Sequence, residues 1–268
     1  MKGKLSVVLG VILAGALVIV SCDSFFSSSW GEGSTREYSA DNIDLNAGNV
    51  DSWVKNAKGN PKLAAELTEK IKRELQNGKL SEKDRAKLQA AGVNLALEAS
   101  GIGPSMISNA SDAINKLSSS DGGANALPDV LKDMQSDFKA NNGSKAAGNL
   151  AAIVDGSLTK TPGDYKVGEA PQFDANSLYA KDAKASDVGQ TVVLLALAVT
   201  DGKSMENIKL DELDEQGIAI KDGKAVVTEN ATPESVTLAA YLNLIAEDKT
   251  GKYDKNPVTS NIKSAFNM

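Results

Sequence analysis

Apolar residues recur at helical spacing through most of the chain. Leu63, Leu67, Ile71 and Leu75 stand four apart, which puts them on one stripe of a helix, since residues i and i+4 share a face. Asn60-Pro61 offers an N-cap followed by proline at the first helical position, and Gly78 ends the run. Ala86, Leu88, Ala91, Leu95 and Ala99 form a second stripe. It opens after Ser81, with Asp84 three residues on in a near capping box, and stops at Gly101. The two stripes predict a helical hairpin. Pro104 opens a third pattern through Ile107, Ala110, Ile114 and Leu117, the polar run 118–125 reads as a loop, and Pro128 starts another helix with Val130, Leu131, Met134 and Phe138. After the Asn141-Asn142-Gly143 break, Ala146, Ala147, Leu150, Ile153 and Val154 predict a further amphipathic helix ending near Gly156.

Residues 159–174 hold Pro162, Gly163, Gly168 and Pro171 with little periodicity. This irregular connection divides an N-terminal helical half, 48–158, from a C-terminal half, 175–268; loops of such length are often functional or flexible. The segment Val188–Val199 is apolar around its whole circumference. As a helix it would be buried on every side, and its valines equally fit a strand. Residues 217–227 alternate around Asp222-Gly223, the signal of a two-residue hairpin turn. Thr232-Pro233-Glu234 starts a long helix with Val236, Ala239, Ala240, Leu242 and Ile245, and Pro257 to Phe266 a short terminal one. The expected fold is mainly α: a multi-helix bundle or irregular stacked helical hairpins, with a short β-hairpin in the C-terminal half. Similar aliphatic helix ends recur at 94–101, 149–156, 194–202 and 241–251, each before a polar residue and glycine. Their uneven spacing points to repeated glycine C-caps rather than to a fixed repeat.

Composition narrows the chemistry. Aromatic residues make up only 4% of the chain, so the core must be built from Ala, Leu, Val and Ile. The net charge of −6 repels phosphate backbones and argues against a nucleic-acid partner. Histidine is absent and cysteine occurs once. Structural zinc sites, Cys/His nucleophilic sites and the Ser-His-Asp triad lack the residues they need, and no disulfide can form within the chain.

That one cysteine, Cys22, closes an N-terminal segment with Lys2 and Lys4, an apolar run from Leu5 to Val20, and Ser21. A basic start, an apolar run and a small residue are the layout of a secretory signal peptide. The run falls short of the ~20 residues of a membrane-spanning helix. A small residue directly before a lone cysteine resembles the lipobox of bacterial lipoproteins. The commonest form has Leu at the third position before Cys and Ala or Gly directly before it. Ile19 and Ser21 stand there instead, similar to the relaxed lipoboxes of spirochaetes. The resemblance implies acylation of Cys22 and cleavage before it. Residues 1–21 are then a signal peptide, 22–47 the lipidated cysteine with a flexible Ser-, Gly- and Asn-rich tether, and the product a membrane-anchored lipoprotein of the cell envelope, on its periplasmic face or at the cell surface. Phe25, Phe26 and Trp30 belong to that tether or sit in the headgroup layer, which favours aromatic rings.

Three features of the body invite a chemical reading. Ser157-Leu158-Thr159-Lys160, Tyr241-Leu242-Asn243 and Lys249-Thr250-Gly251 resemble in order the elements of penicillin-recognising serine enzymes. That chemistry needs the serine at a helix start and the lysine-threonine-glycine on a strand, whereas Ser157 falls at a helix end and Lys249 just after one. Asp248 and Asp254 around a glycine turn offer oxygen ligands of the kind calcium takes, without EF-hand spacing and with three lysines close by. Asp211, Glu212, Asp214 and Glu215 form a denser acidic cluster, of a type that usually solvates a loop. The stripes with Leu63, Leu67, Ile71 and Leu75, or with Val192, Leu195 and Val199, are core first and walls for an apolar ligand second. The expectation is a protein without catalytic residues, cofactor or metal: an interaction or envelope-structural module held to a membrane through Cys22. The alternative is a lipid- or small-solute-binding lipoprotein that presents its ligand to a membrane partner.

Overall fold

A computed structural model describes residues 42–76, 79–101, 136–200, 214–256, 259–260 and 262–263. Cys22, the expected signal peptide, residues 23–41 of the expected tether, Gly78, the pattern from Pro104 to Leu117, the loop expected at 118–125, Pro128 to Met134, Asp211 with Glu212, and Pro257 and Phe266 lie outside these residues.

Four of the described helices begin where a side chain satisfies a first free amide, at Asn60, Ser81, Ser177 and Thr232. α1 spans Val50–Asn56 and α2 Pro61–Gln76, with the Asn60 side chain accepting from the Leu63 amide at 3.0 Å. α3, Glu82–Ala99, is capped by Ser81, whose hydroxyl accepts from the Asp84 amide at 3.1 Å. It ends at Gly101, whose φ of +74° lets its amide return to the Glu98 carbonyl at 3.1 Å. A helical stretch at 136–140 precedes α4, Gly143–Val154. Between them Asn142 takes a left-handed φ of 53°, and a Cβ on Gly143 would lie 2.1 Å from the Phe138 ring, so only glycine fits.

The C-terminal half holds α5, Leu178–Asp182, and α6, Ala185–Val199. The apolar run left open between helix and strand is therefore helical. A helix pairs its own backbone groups, whereas a fully buried strand needs hydrogen-bonding neighbours on both edges. β1, Ile218–Lys221, and β2, Lys224–Val227, form the expected antiparallel hairpin, Ile218 opposite Val227. Asp222 and Gly223 both have positive φ, as its tight turn requires. α7, Pro233–Ala246, starts with a complete capping box between Thr232 and Ser235. Residues 259–260 and 262–263 are helical.

α4 is the shared element. It packs against α2, α3, α6 and α7, and α3 also meets α5 and α6, so the buried residues of both halves form one continuous cluster. Gly92 brings α3 close: a Cβ there would lie 2.9 Å from Ile153 and 3.0 Å from Ile71. The irregular connection is not loose. The Thr159 amide bonds the Gln172 carbonyl at 3.0 Å and the Asp174 amide the Ser157 carbonyl at 2.8 Å, closing the segment on itself. Gly168 and Glu169 pair with both backbone groups of Val227 at 2.8 and 2.9 Å, covering the outer edge of β2.

Among the described residues one buried side-chain hydroxyl, that of Thr191 on α6, has no hydrogen-bond partner. An unpaired buried polar group costs stability. Thr191→Val, which replaces the hydroxyl by a methyl of similar size, is expected to raise the unfolding free energy by about 1 kcal/mol in urea denaturation. A loss of stability would show that the hydroxyl is paired.

Candidate functional site

A groove of about 790 Å³, open to solvent, runs between α1 and α3 on one side and α5 with the start of α6 on the other. Its apolar lining is Val54, Ala86, Ala91, Val93, Leu178 and the Tyr179 ring, with Ala90 exposed at the edge. Its rim carries Lys55, Lys58, Lys83, Lys87 and Lys184 against three carboxylates, Asp51, Asp182 and Asp187. Helical periodicity sets this alignment, since Lys55 and Lys58 stand three apart on and just beyond α1, and Lys83 and Lys87 four apart on α3. Lys87 pairs with Asp51 at 2.9 Å. Asp187 sits in the first turn of α6. Burial pushes its carboxyl above the usual range, opposed by a hydrogen bond from Ser186 and by the charge of Lys184.

The inner wall is fixed from the core. The Tyr179 hydroxyl meets that of Tyr241 on α7, and both rings stand against Phe173, with centroids 6.0 and 5.0 Å away. Burial pushes both phenols above their ordinary pKa, so they stay neutral. Two residues from Tyr241, the buried amide of Asn243 donates to the carbonyls of Pro171 and Ala225 and accepts from the Ala225 amide, each at 2.8 Å. α7 is thereby tied to the irregular connection and to β2.

The residues singled out from the sequence take separate structural places. Ser157 lies in a short 3-10 turn, Asp155–Ser157, after α4. Its buried hydroxyl donates to Gln89 at 3.0 Å, and Gln89 in turn donates to the Ile153 carbonyl at 3.0 Å. Lys160 pairs with Glu169 at 2.7 Å. Tyr241 and Asn243 are core members. Thr250 serves Asp248, whose carboxylate accepts from the Thr250 amide and hydroxyl and the Tyr253 amide at 2.7–2.8 Å. Asp254 pairs with Lys263 at 2.9 Å, and Glu247 accepts from Lys224 at 2.6 Å and Gln172 at 2.9 Å. The carboxylates offered as calcium ligands are thus each engaged by the protein. Among the described residues no group of three or more carboxylates is placed to hold a metal ion. Asp214 and Glu215 engage through backbone carbonyls, which accept from Thr228 at 2.7 Å and Asn230 at 3.3 Å. Leu63, Leu67, Ile71, Leu75, Val192, Leu195 and Val199 belong to the core cluster, and none of them lines the groove.

The chain matches no family model, no curated protein and no solved structure. The site stands on its own geometry.

A second polar cluster joins α2 to α4 away from the groove. Glu69 accepts from Asn149 at 3.0 Å and pairs with Lys72 at 2.7 Å, while Lys72 also donates to Asn149 at 2.8 Å. Partial burial works to raise the Glu69 pKa, but the hydrogen bonds from Lys72 and Asn149, with the Lys72 charge and Lys145, outweigh it and hold the carboxyl down to about 2, from an ordinary 4.5. A carboxyl lowered in the folded state stabilises it above the unfolded pKa, and that contribution is lost as pH falls through the folded value. In an acid titration of the urea midpoint, Glu69→Gln is expected to remove part of the fall in stability between pH 4.5 and about 2. An unchanged titration would show that the cluster does not couple to folding.

Proposed function

We propose that the chain is a membrane-anchored bacterial lipoprotein whose helical body serves as a non-catalytic interaction or envelope-structural module. One observation carries this reading: the apolar run Leu5–Val20 after Lys2 and Lys4, closed by Ser21-Cys22. Acylation would hold the chain by about 0.8 kcal/mol per buried methylene. Among the described residues no helix is long and apolar enough to cross a membrane. The expected tether is shorter than 22–47, because Ile43 and Leu45 are buried in the core and the Ile43 carbonyl accepts from Lys70. A flexible tether of about twenty residues from Cys22 reaches roughly 22–27 Å on root-mean-square average, which keeps the body near the bilayer surface while leaving it free to turn.

A second reading, a lipid- or small-solute-binding lipoprotein, is supported by the groove. Its apolar floor and cationic rim match an amphiphile better than a fully polar solute, because a polar solute would leave the floor wet.

Cys22→Ser removes the thiol that acylation needs. In cells fed a labelled fatty acid, the variant is expected to lose the label and to leave the membrane fraction. Labelling that persists, or a variant that stays membrane-bound, would contradict the lipoprotein reading.

A further inference from the structure

We infer that the groove between α1–α3 and α5–α6 takes an anionic phospholipid of the membrane that carries the protein, the lysine rim holding its phosphate and the apolar floor the adjoining part of its acyl chains. The inference rests on the membrane anchoring proposed above.

Charge points to the occupant. The chain is acidic, at −6 overall, yet the rim of this groove gathers five lysines against three carboxylates. Of those carboxylates, Asp51 is paired with Lys87 and Asp187 is recessed beside Ser186. Lys55 and Lys83, exposed on neighbouring helices, engage no carboxylate among the described residues. The groove is thus a positive strip on a negative body. An anionic bilayer would repel most of the surface and attract this face, which fixes an orientation.

The floor separates a lipid from a free anion. A phosphate alone has no use for Val54, Ala86, Leu178 and the Tyr179 ring, whereas a phospholipid presents charge and hydrocarbon in the order that rim and floor present their complements. Position adds a further argument. α1 begins at Val50, a few residues after the chain enters the core at Ile43 and Leu45, so Lys55 and Lys58 lie 33 and 36 residues from Cys22, within a few tens of ångströms of the headgroups for a flexible tether. Tethering raises the effective lipid concentration at the groove into the millimolar range, so a weak site would be filled.

The test uses residues 22–268 with Cys22→Ser, a chain without signal peptide or acyl group, and sedimentation with vesicles. Mixed phosphatidylglycerol and phosphatidylcholine vesicles are expected to bind it about tenfold or more tightly than pure phosphatidylcholine. Lys55→Glu with Lys83→Glu is expected to cancel that preference. Ala90→Trp, which narrows the mouth of the groove from its exposed edge without changing charge, is expected to weaken binding to the mixed vesicles several-fold. Circular dichroism and thermal melting verify that each variant is folded. Equal binding to both vesicle types, no binding to either, or mixed-vesicle binding undiminished in the charge-reversed or the Trp variant would overturn the inference. A polyglutamate peptide that binds where vesicles do not would assign the groove to an acidic protein and overturn it as well. Because the chain tested lacks the acyl group, these results are independent of whether Cys22 is lipidated, and failure here leaves the anchoring test intact.

Discussion

The buried side-chain amide of Asn243 is the constraint on which the C-terminal half depends. It occupies both donors and its acceptor at once, on Pro171, on the Ala225 carbonyl and on the Ala225 amide. Two chain segments, the irregular connection and β2, are therefore held to α7 by one residue that is 1% exposed. A buried amide left unpaired costs of the order of 1–3 kcal/mol, so the geometry that satisfies all these groups excludes its near neighbours. A slip of α7 by one residue would strand both the amide and the edge of β2.

The consequences run outward from there. With α7 fixed, Tyr241 reaches Tyr179, and Phe173 from the irregular connection closes the cluster. Tyr179 is then a rigid inner wall of the groove and not a mobile flap. On the other side, α4 carries the same rigidity to α2 and α3 through Ile153 against Gly92 and through the Glu69–Lys72–Asn149 cluster. Both walls of the groove thus stand on one core. Charge is handled in a matching way: Glu169, Glu247 and Asp254 have lysine partners nearby, while the lysines of α1 and α3 outnumber the carboxylates that face them.

Much of this was legible in the sequence where the governing interaction is local. Asn60, Ser81 and Thr232 announce helix starts because a cap needs only the next three residues, and Asp222-Gly223 announces the hairpin because the turn needs only itself. The segment Val188–Val199 remained ambiguous because burial on all sides suits two backbones, and only the surrounding helices decide between them. Asn243 and Ser157 drew notice as letters of a catalytic pattern, and their partners lie 18 to 72 residues away, beyond what any spacing shows. The groove was missed for the same reason. Lys55 and Lys58, and Lys83 and Lys87, are visible pairs, but nothing in their spacing says that α1 and α3 lie side by side or that α5 faces them.

Amide hydrogen exchange at Ala225 tests the role of Asn243 most directly. If the Asn243 amide locks the connection, β2 and α7 into one unit, the Ala225 amide should exchange only when the whole body unfolds, with the same protection as the central amides of α7. Exchange of Ala225 at the much faster rate of a fraying hairpin, while α7 stays protected, would contradict it.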